Sequence, residues 1–371
     1  MKIAMIGPKR IPSREGGIDV VVGRLSGELT ALGQDVTVYV RRKKGVTVPE
    51  RYEGIRLKEV YTIDKKATDA LVSSFLATLK GLWGKYEVLH FHALGNTCFL
   101  FLTAFSKKKI VVTIHGIDWK RSKFSGIGNR ILRFSEKMVV RFSDAIITLC
   151  DNDHDYFRDT YGLDTVLIPN GFERFQSRPA KEITEKWGLH REDYILFLAR
   201  IVPEKGLHYL IKAYKQAGIP QKLVIAGGSG HSEGYYKEMQ ALAGKDPNIL
   251  FTGFVQGDTL AELYSNAYLY VLPSDIEGMP MSLLEALGYN RVCLVSDIRE
   301  NRVDVENSYF FRKGDVEDLK DRLREISASR KDYVPSQELP SWSKVAERTL
   351  EVYRNTKKEK EHAHEDHCGK L

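Results

Sequence analysis

Short apolar runs rich in β-branched residues recur along this chain in two consecutive sets, each run followed by an amphipathic stretch. The first set predicts strands near 2–7, 36–40, 88–93, 110–115, 145–150 and 166–168; the second predicts them near 194–199, 222–226, 249–252, 269–273 and 292–296. Ile18–Leu32, Asn129–Phe142, Gly206–Ala217 and Met281–Leu287 have helical spacing. Runs without alternation suit strands buried on both faces, and strands separated by helices pair in parallel. The chain is therefore α/β, and its two sets imply two doubly wound, Rossmann-like parallel-sheet domains. We expect a first domain over 1–175, a second over 176–340, a closing helix over 341–356 that crosses back to the first, and a disordered tail over 357–371. Asn170-Gly171 and Arg178-Pro179 mark the break between the domains.

With 371 residues, 43% hydrophobic and 28% charged, the chain is long enough for two cores. Its apolar runs fall short of the ~20 residues that span a bilayer. Met1–Gly7 reads as a strand rather than a secretory signal, and the four cysteines (Cys98, Cys150, Cys293, Cys368) are scattered, which suits a reducing cytoplasm and argues against structural zinc. The net charge of +7 is uneven. Residues 1–180 hold 29 Lys and Arg against 19 Asp and Glu, and the remainder hold 27 against 30. One domain thus faces something anionic: nucleic acid, an anionic membrane or a phosphorylated substrate.

Several strand ends carry candidate chemistry. Gly16-Gly17 precedes a helix, where backbone N–H groups can meet an anion, although a tight turn explains the pair equally well. Arg200 ends the first strand of the second domain and Lys205 begins the next helix, a position that the helix dipole disfavours for a cation unless an anion such as a diphosphate sits there. Glu277 lies in the loop after another strand and Glu285 on the helix that follows, with Pro280 suited to its first position. One carboxylate can accept from sugar hydroxyls and the other from ribose, while the N–H groups around Gly278, Met279, Pro280 and Met281 face sugar and phosphate oxygens. His115 ends a strand, and position alone leaves it open between a ligand contact and a structural role.

In order, these residues resemble the family 4 glycosyltransferases of the GT-B fold, the bacterial surface-polysaccharide type in particular. The resemblance spans Met1 to about Asn355 and rests on Gly16-Gly17, His115-Gly116, Ile168-Pro169-Asn170-Gly171, Arg200 with Lys205, Ala226-Gly227-Gly228, Gly253-Phe254-Val255 and the pair Glu277/Glu285. The segment His115–Arg121, with Ile11-Pro12, is most similar to a subgroup that includes rhamnosyltransferases. The resemblance implies two domains facing across a cleft, a nucleotide-sugar donor and a glycan or lipid-linked glycan acceptor. It implies that Arg200 and Lys205 neutralise the donor diphosphate, Gly17 offers its amide there, and Glu285 holds the ribose. Glu277 and the amides after it would hold the transferred sugar, His115 would reach that sugar or its phosphate, Phe254 and Val255 would meet the base, and Gly16 and Gly228 would help bind the donor. Many members read E-G-F-G-L-P, whereas here the proline comes two places earlier, at Pro280.

The resemblance further implies hexosyl transfer with retention. No metal or other cofactor is expected: Asp151-Asn152-Asp153 and Asp153-His154-Asp155 are the closest approach to a D-x-D clamp, and they precede a solvated helix. The tail residues His362, His364, His367 and Cys368 read as solvated. Arg130, Arg133, Lys137 and Arg141 share one face of the Asn129–Phe142 helix, and further cations cluster at Arg41–Lys44, Lys107–Lys109 and Lys120–Lys123. For the helix itself a solvated face whose apolar side packs in the domain core is the other reading, while the basic patches together favour peripheral docking on the inner face of the cytoplasmic membrane. Two other readings exist: a sugar-nucleotide epimerase of the same architecture, and a basic nucleic-acid-binding protein. The latter lacks basic residues interleaved with aromatics on a recognisable module, so no nucleic-acid partner is expected.

Overall fold

The computed structural model describes residues 1–43, 45–63, 68–117, 119, 126–230, 232–334 and 339–356. The expected tail 357–371 with its histidines and Cys368, the Lys120–Lys123 cluster with Arg121, Asp118 and Lys44 lie outside the described residues. The chain forms two compact units, Met1–Asn170 with the closing helix Trp342–Asn355, and Gly171–Ser341.

Among the described residues the first unit holds eight strands: β1 Lys2–Ile6, β2 Asp35–Arg41, β3 Arg51–Tyr52, β4 Ile55–Val60, β5 Val88–His92, β6 Lys109–Ile114, β7 Ala145–Thr148 and β8 Val166–Leu167. They lie in the order β3-β4-β2-β1-β5-β6-β7-β8. Ile3 stands opposite Val36 on one side and Val88 on the other, and all pairs are parallel except β3 with β4. Besides the closing helix, its α-helices among the described residues are α1 Gly17–Ala31, α2 Thr68–Trp83, α3 Ile127–Phe142 and α4 Asp151–Tyr161. Alternate residues of the central strands turn to opposite faces. Ala4, Ile6, Leu89 and Phe91 join Ala77 of α2, Leu132 of α3 and Phe157 of α4 in one apolar cluster. α4 is therefore only partly solvated: Asp153 and Phe157 are buried in it.

The second unit holds β9 Tyr194–Leu198, β10 Lys222–Ala226, β11 Ile249–Gly253, β12 Leu269–Leu272, β13 Cys293–Ser296 and β14 Ser308–Phe311, in the order β11-β10-β9-β12-β13-β14, all parallel. Its helices are α5 Glu182–Trp187, α6 Leu207–Ala217, α7 Glu233–Ala243, α8 Gly257–Asn266, α9 Met281–Gly288 and α10 Val316–Ala328. Odd-numbered residues of β9 (Ile195, Phe197) pack with α6, α7 and α10, whereas Tyr194 and Leu196 pack with α5, α8 and α9. Both faces are covered, as apolar runs without alternation require.

The closing helix, α11 (Trp342–Asn355), belongs to the first unit and packs against α1. Its buried Tyr353 hydroxyl shares a 2.7 Å hydrogen bond with His90 Nδ1 in β5, and His90 Nε2 shares another of 2.7 Å with Thr113 Oγ1 in β6. In each sheet the strand order reverses at the first strand, β1 or β9. Open α/β sheets bind ligands at such a reversal, outside the carboxyl ends of the strands.

Two glycines allow the loops at that edge of the second sheet to close on one another. Gly206 has φ +67°, and a Cβ there would lie 1.9 Å from the Pro273 carbonyl oxygen. Gly227 has φ +147°, and a Cβ would meet the Ala199 carbonyl at the same distance. Gly218 supplies a control, with φ +63° and nothing within 4 Å of a Cβ. Gly218→Ala is expected to cost only the left-handed penalty, about 1 kcal/mol. Gly206→Ala adds a backbone clash and should cost at least about 3 kcal/mol in denaturant unfolding; equal losses would show that the approach to Pro273 is not tight.

Candidate functional site

Arg200 follows β9, and its neighbours are laced to the adjoining strands. The Ala199 amide donates to the Ala226 carbonyl at 3.2 Å, the Ile201 amide to Gly228 at 2.9 Å, and the Gly227 amide to Gly253 at 2.8 Å. These bonds set Arg200, Gly228 and the Phe254–Val255 pair side by side at the carboxyl ends of β9, β10 and β11. A Cβ on Gly228 would stand 3.9 Å from the Phe254 Cβ, an ordinary van der Waals contact, so the two residues adjoin. Phe254 is 50% exposed, which leaves an aromatic surface available for stacking.

On the other side of β9, the Asp275 amide donates to the Glu204 carbonyl at 2.9 Å and joins the loop after β9 to the loop after β12. Lys205, expected on a diphosphate, and Glu277, expected on sugar hydroxyls, are ion-paired with one another here through Nζ and Oε1. Ser274 Oγ donates to the same carboxylate oxygen at 2.6 Å. The pair is withdrawn from solvent, with side chains 14% and 6% exposed. Burying two charges is tolerable only with such mutual pairing and added hydrogen bonds.

Pro280 caps α9 instead of opening it. Its φ of −74° suits a helix, but its ψ of 110° is extended, so the helix begins at Met281. Gly278 and Pro280 are buried, whereas Met279 and Met281 keep partial exposure. Glu285, one turn into α9, accepts from the Tyr264 hydroxyl at 3.2 Å. Two acidic residues of this edge were not among the expected set. Glu204 is buried and, among the described residues, has no hydrogen-bond partner at either carboxylate oxygen. Burial raises the Asp275 carboxyl above the ordinary range, against the opposing pull of His208 and Lys313. Both adjoin residues that the motifs single out, and that adjacency is the only signal the sequence holds for them.

His115, Gly16 and Gly17 belong to the first unit. Gly16 caps α1 and Gly17 is its first residue. Asp19, in the same turn, is buried and accepts the Lys9 amide at 2.7 Å, which ties the loop after β1 to the helix. Gly7, at φ +141°, brings the end of β1 against that of β5, because a Cβ there would stand 2.6 Å from the His92 carbonyl oxygen. His92 Nδ1 and His115 Nε2 share a hydrogen bond of 3.1 Å, and the His90 and His92 rings lie 4.2 Å apart. Position alone does not reveal this support behind His115, which comes from residues 23 places earlier. The Asp-rich start of α4 is engaged within its own unit: His154 bonds Thr165 at 2.8 Å, and Asp155 pairs with Arg158. Among the described residues no three His, Cys, Asp or Glu side chains gather as a metal site requires.

Burial, with the His115 charge adding to it, pushes the His90 imidazole down to about 3 from 6.5. Burial and the neighbouring histidines hold His92 well below the ordinary range. The folded values are depressed, so the unfolded chain binds protons that the folded one refuses. Stability from these groups is full above pH 6.5 and declines as pH falls towards 3. Denaturant unfolding at pH 7.5 and 5 should show this loss, with His90→Asn removing up to about 1.4 kcal/mol per pH unit of the slope. An unchanged slope would mean that His90 is not held neutral by the fold.

A family model described as Glycosyltransferase Family 4 matches residues 15–174, and one described as Glycosyl transferases group 1 matches residues 179–338. An uncharacterized glycosyltransferase of Methanocaldococcus jannaschii is 26% identical over 390 residues, covering 95% of this chain and 98% of its own. The UDP-Gal:α-D-GlcNAc-diphosphoundecaprenol α-1,3-galactosyltransferase of Escherichia coli is 25% identical over 61% of each chain. Among solved structures, the sucrose-phosphate synthase of Thermosynechococcus elongatus superposes with a TM-score of 0.81 at 19% identity, over 95% of this chain and 98% of that one. One model falls on each sheet and a relative spans nearly the whole length: the chain belongs to the family 4 glycosyltransferases and has the GT-B fold.

Proposed function

We propose that this glycosyltransferase moves a hexosyl group from a nucleotide sugar to a growing, lipid-linked bacterial surface glycan, with retention at the anomeric carbon and without a metal ion. The observation that supports the donor assignment is the buried Lys205–Glu277 pair, which joins the loop that begins with Arg200 after β9 to the loop after β12, just ahead of the helix that carries Glu285. The donor diphosphate meets Arg200 and Lys205. An ammonium has three N–H donors, so its bond to Glu277 does not exhaust it. Glu277 and the amides of Gly278, Met279 and Met281 hold the transferred sugar, Glu285 the ribose, and Phe254 with Val255 the base, beside Gly228. Gly16, Gly17 and His115, in the first unit, keep in this reading the donor-binding roles that the family resemblance implies. The acceptor hydroxyl attacks the anomeric carbon on the face that the leaving group vacates. As the bond from that carbon to the phosphate oxygen breaks, this oxygen takes the hydroxyl proton. Leaving-group charge is met by fixed cations and amides. The lipid-linked acceptor draws support from the diphosphoundecaprenol named for the E. coli relative.

A cytoplasmic protein bound to the inner membrane face is part of the same reading. Arg130, Arg133, Lys137 and Arg141 are all exposed on α3, whose Ile127 is 76% and Phe134 44% exposed. Leu132 and Val139 of that helix are buried, so its apolar residues divide between the core and the surface. No described helix is long and apolar enough to cross a membrane. Each cation near an anionic leaflet contributes ~1 kcal/mol, so these four suffice for peripheral attachment.

Two outcomes are expected. In a panel of nucleotide sugars, one donor should release nucleoside diphosphate in the presence of acceptor and excess EDTA, and Arg200→Ala should lower that rate by about 10²–10³-fold. Activity abolished by EDTA and restored by magnesium, or a variant with unchanged turnover at low donor concentration, would overturn the assignment. In liposome flotation, binding should rise with anionic lipid and fall with salt, and the quadruple variant Arg130→Gln, Arg133→Gln, Lys137→Gln, Arg141→Gln should weaken it. Binding indifferent to lipid charge would favour a soluble acceptor.

A further inference from the structure

The amino-terminal edge of the second sheet, opposite the proposed donor site, carries a cavity of about 330 Å³ lined by Arg174, Arg191, Glu192, Asn290, Arg291 and Arg330, among others. Its residues come from distant parts of the sequence and are brought together by the sheet. Arg191 and Glu192 precede β9 and Arg291 precedes β13, while Arg330 lies against Tyr268, which precedes β12 between them in the sheet. A strand of five residues, about 16 Å, separates this edge from Arg200.

Two of the guanidinium groups are held by backbone. Arg291 donates from Nε to the Tyr289 carbonyl at 3.0 Å and from Nη1 to the Ala267 carbonyl at 3.1 Å. Arg330 lies over the Tyr268 ring, 4.2 Å from its centre, donates to the Tyr268 carbonyl, and donates to Glu192 Oε1 at 3.0 Å. Carbonyl anchoring accounts for Arg291 and Arg330 singly, but not for four arginines around one cavity where, among the described lining residues, Glu192 is the one carboxylate. Such an arrangement is self-repelling, and burial with the charges of Arg330 and Arg191 depresses the Arg291 pKa. Glu192 has φ +64° and Asn290 φ +60°. Asn290 follows a helix, where a left-handed residue is common, and Glu192 is the third residue of the turn that the Asp193 amide closes on the His190 carbonyl at 3.3 Å, so each conformation has a local cause.

We propose that this cavity is a second anion site, which takes the phosphate group of a small soluble phosphorylated compound. Planar guanidinium forks already fixed in orientation match phosphate oxygens bidentately, and a ligand with two or more negative charges relieves the repulsion among the arginines. The volume is at the lower end of small-molecule pockets, which fits a compact polyanion rather than a whole nucleotide sugar. The site is independent of the donor assignment and shares no residue with it.

The test is calorimetric titration with inorganic pyrophosphate, in an Arg200→Ala background that weakens the donor-side cation pair. Binding should persist there and fall at least about ten-fold when Arg174 and Arg191 are both replaced by Glu, with the unfolding midpoint unchanged. Arg291→Lys, which keeps the charge but loses the fork, should weaken binding without abolishing it. Binding unaltered by the Arg174→Glu, Arg191→Glu pair, or absent in the Arg200→Ala background, overturns the proposal. So does binding seen only with vesicles containing phosphatidic acid and not with free pyrophosphate, because the partner would then be a lipid headgroup.

Discussion

In both units the central strands are buried on both faces, so their backbone groups are committed to the ladder and their side chains to the two cores. Polar chemistry is thereby confined to the strand ends, and the loops there must approach closely without steric conflict. Gly7, Gly206 and Gly227 meet this demand, each bringing one strand end against the carbonyl of a neighbouring segment. The candidate residues Arg200, Gly228, Phe254 and Glu277 share one edge because these contacts leave the loops no other course. The architecture thus sets the location of the chemistry, and the loop sequences set its kind.

The Lys205–Glu277 pair shows how that edge is organised. A buried ion pair is seldom a gain in stability over an apolar pair of similar size, because desolvation offsets the attraction. It does fix two side chains in one arrangement, and Ser274 adds a directional bond to the same oxygen. In the proposed donor site, an ammonium so held would already be placed for a diphosphate, without the cost of ordering a long flexible side chain on binding. In the first unit His92 acts similarly on His115, supporting it from within the core.

Much of the fold was legible because central parallel strands declare themselves as unbroken apolar runs. β1, β5, β9 and β10 fall where those runs stand. β4 was not legible, since Ile55-Arg56-Leu57-Lys58-Glu59-Val60 interleaves charge with apolar residues and its Lys58 and Glu59 are exposed. β14, at the sheet edge with Tyr309 and Phe310 only partly covered, was missed for a related reason. Arg200, Lys205, Glu277 and Glu285 stood out from their places at strand ends and helix starts. That Lys205 and Glu277 bind one another was invisible, because 72 residues separate them and only the adjacency of β9 and β12 unites their loops. The arginine cavity drew on positions between 174 and 330 and left no local signature at all.

The central claim is that the carboxyl edge of the second sheet receives the nucleoside diphosphate of the donor. Hydrogen–deuterium exchange, with and without saturating UDP, GDP and ADP, tests it most directly because it reads backbone segments without assuming an acceptor. At least one nucleotide should slow exchange in residues 199–206, 227–230, 253–257 and 274–285 together, the loops that surround Arg200 and the Lys205–Glu277 pair. Protection absent from these segments with all three nucleotides, or confined to the opposite edge around residues 190–192 and 290–292, would contradict the account.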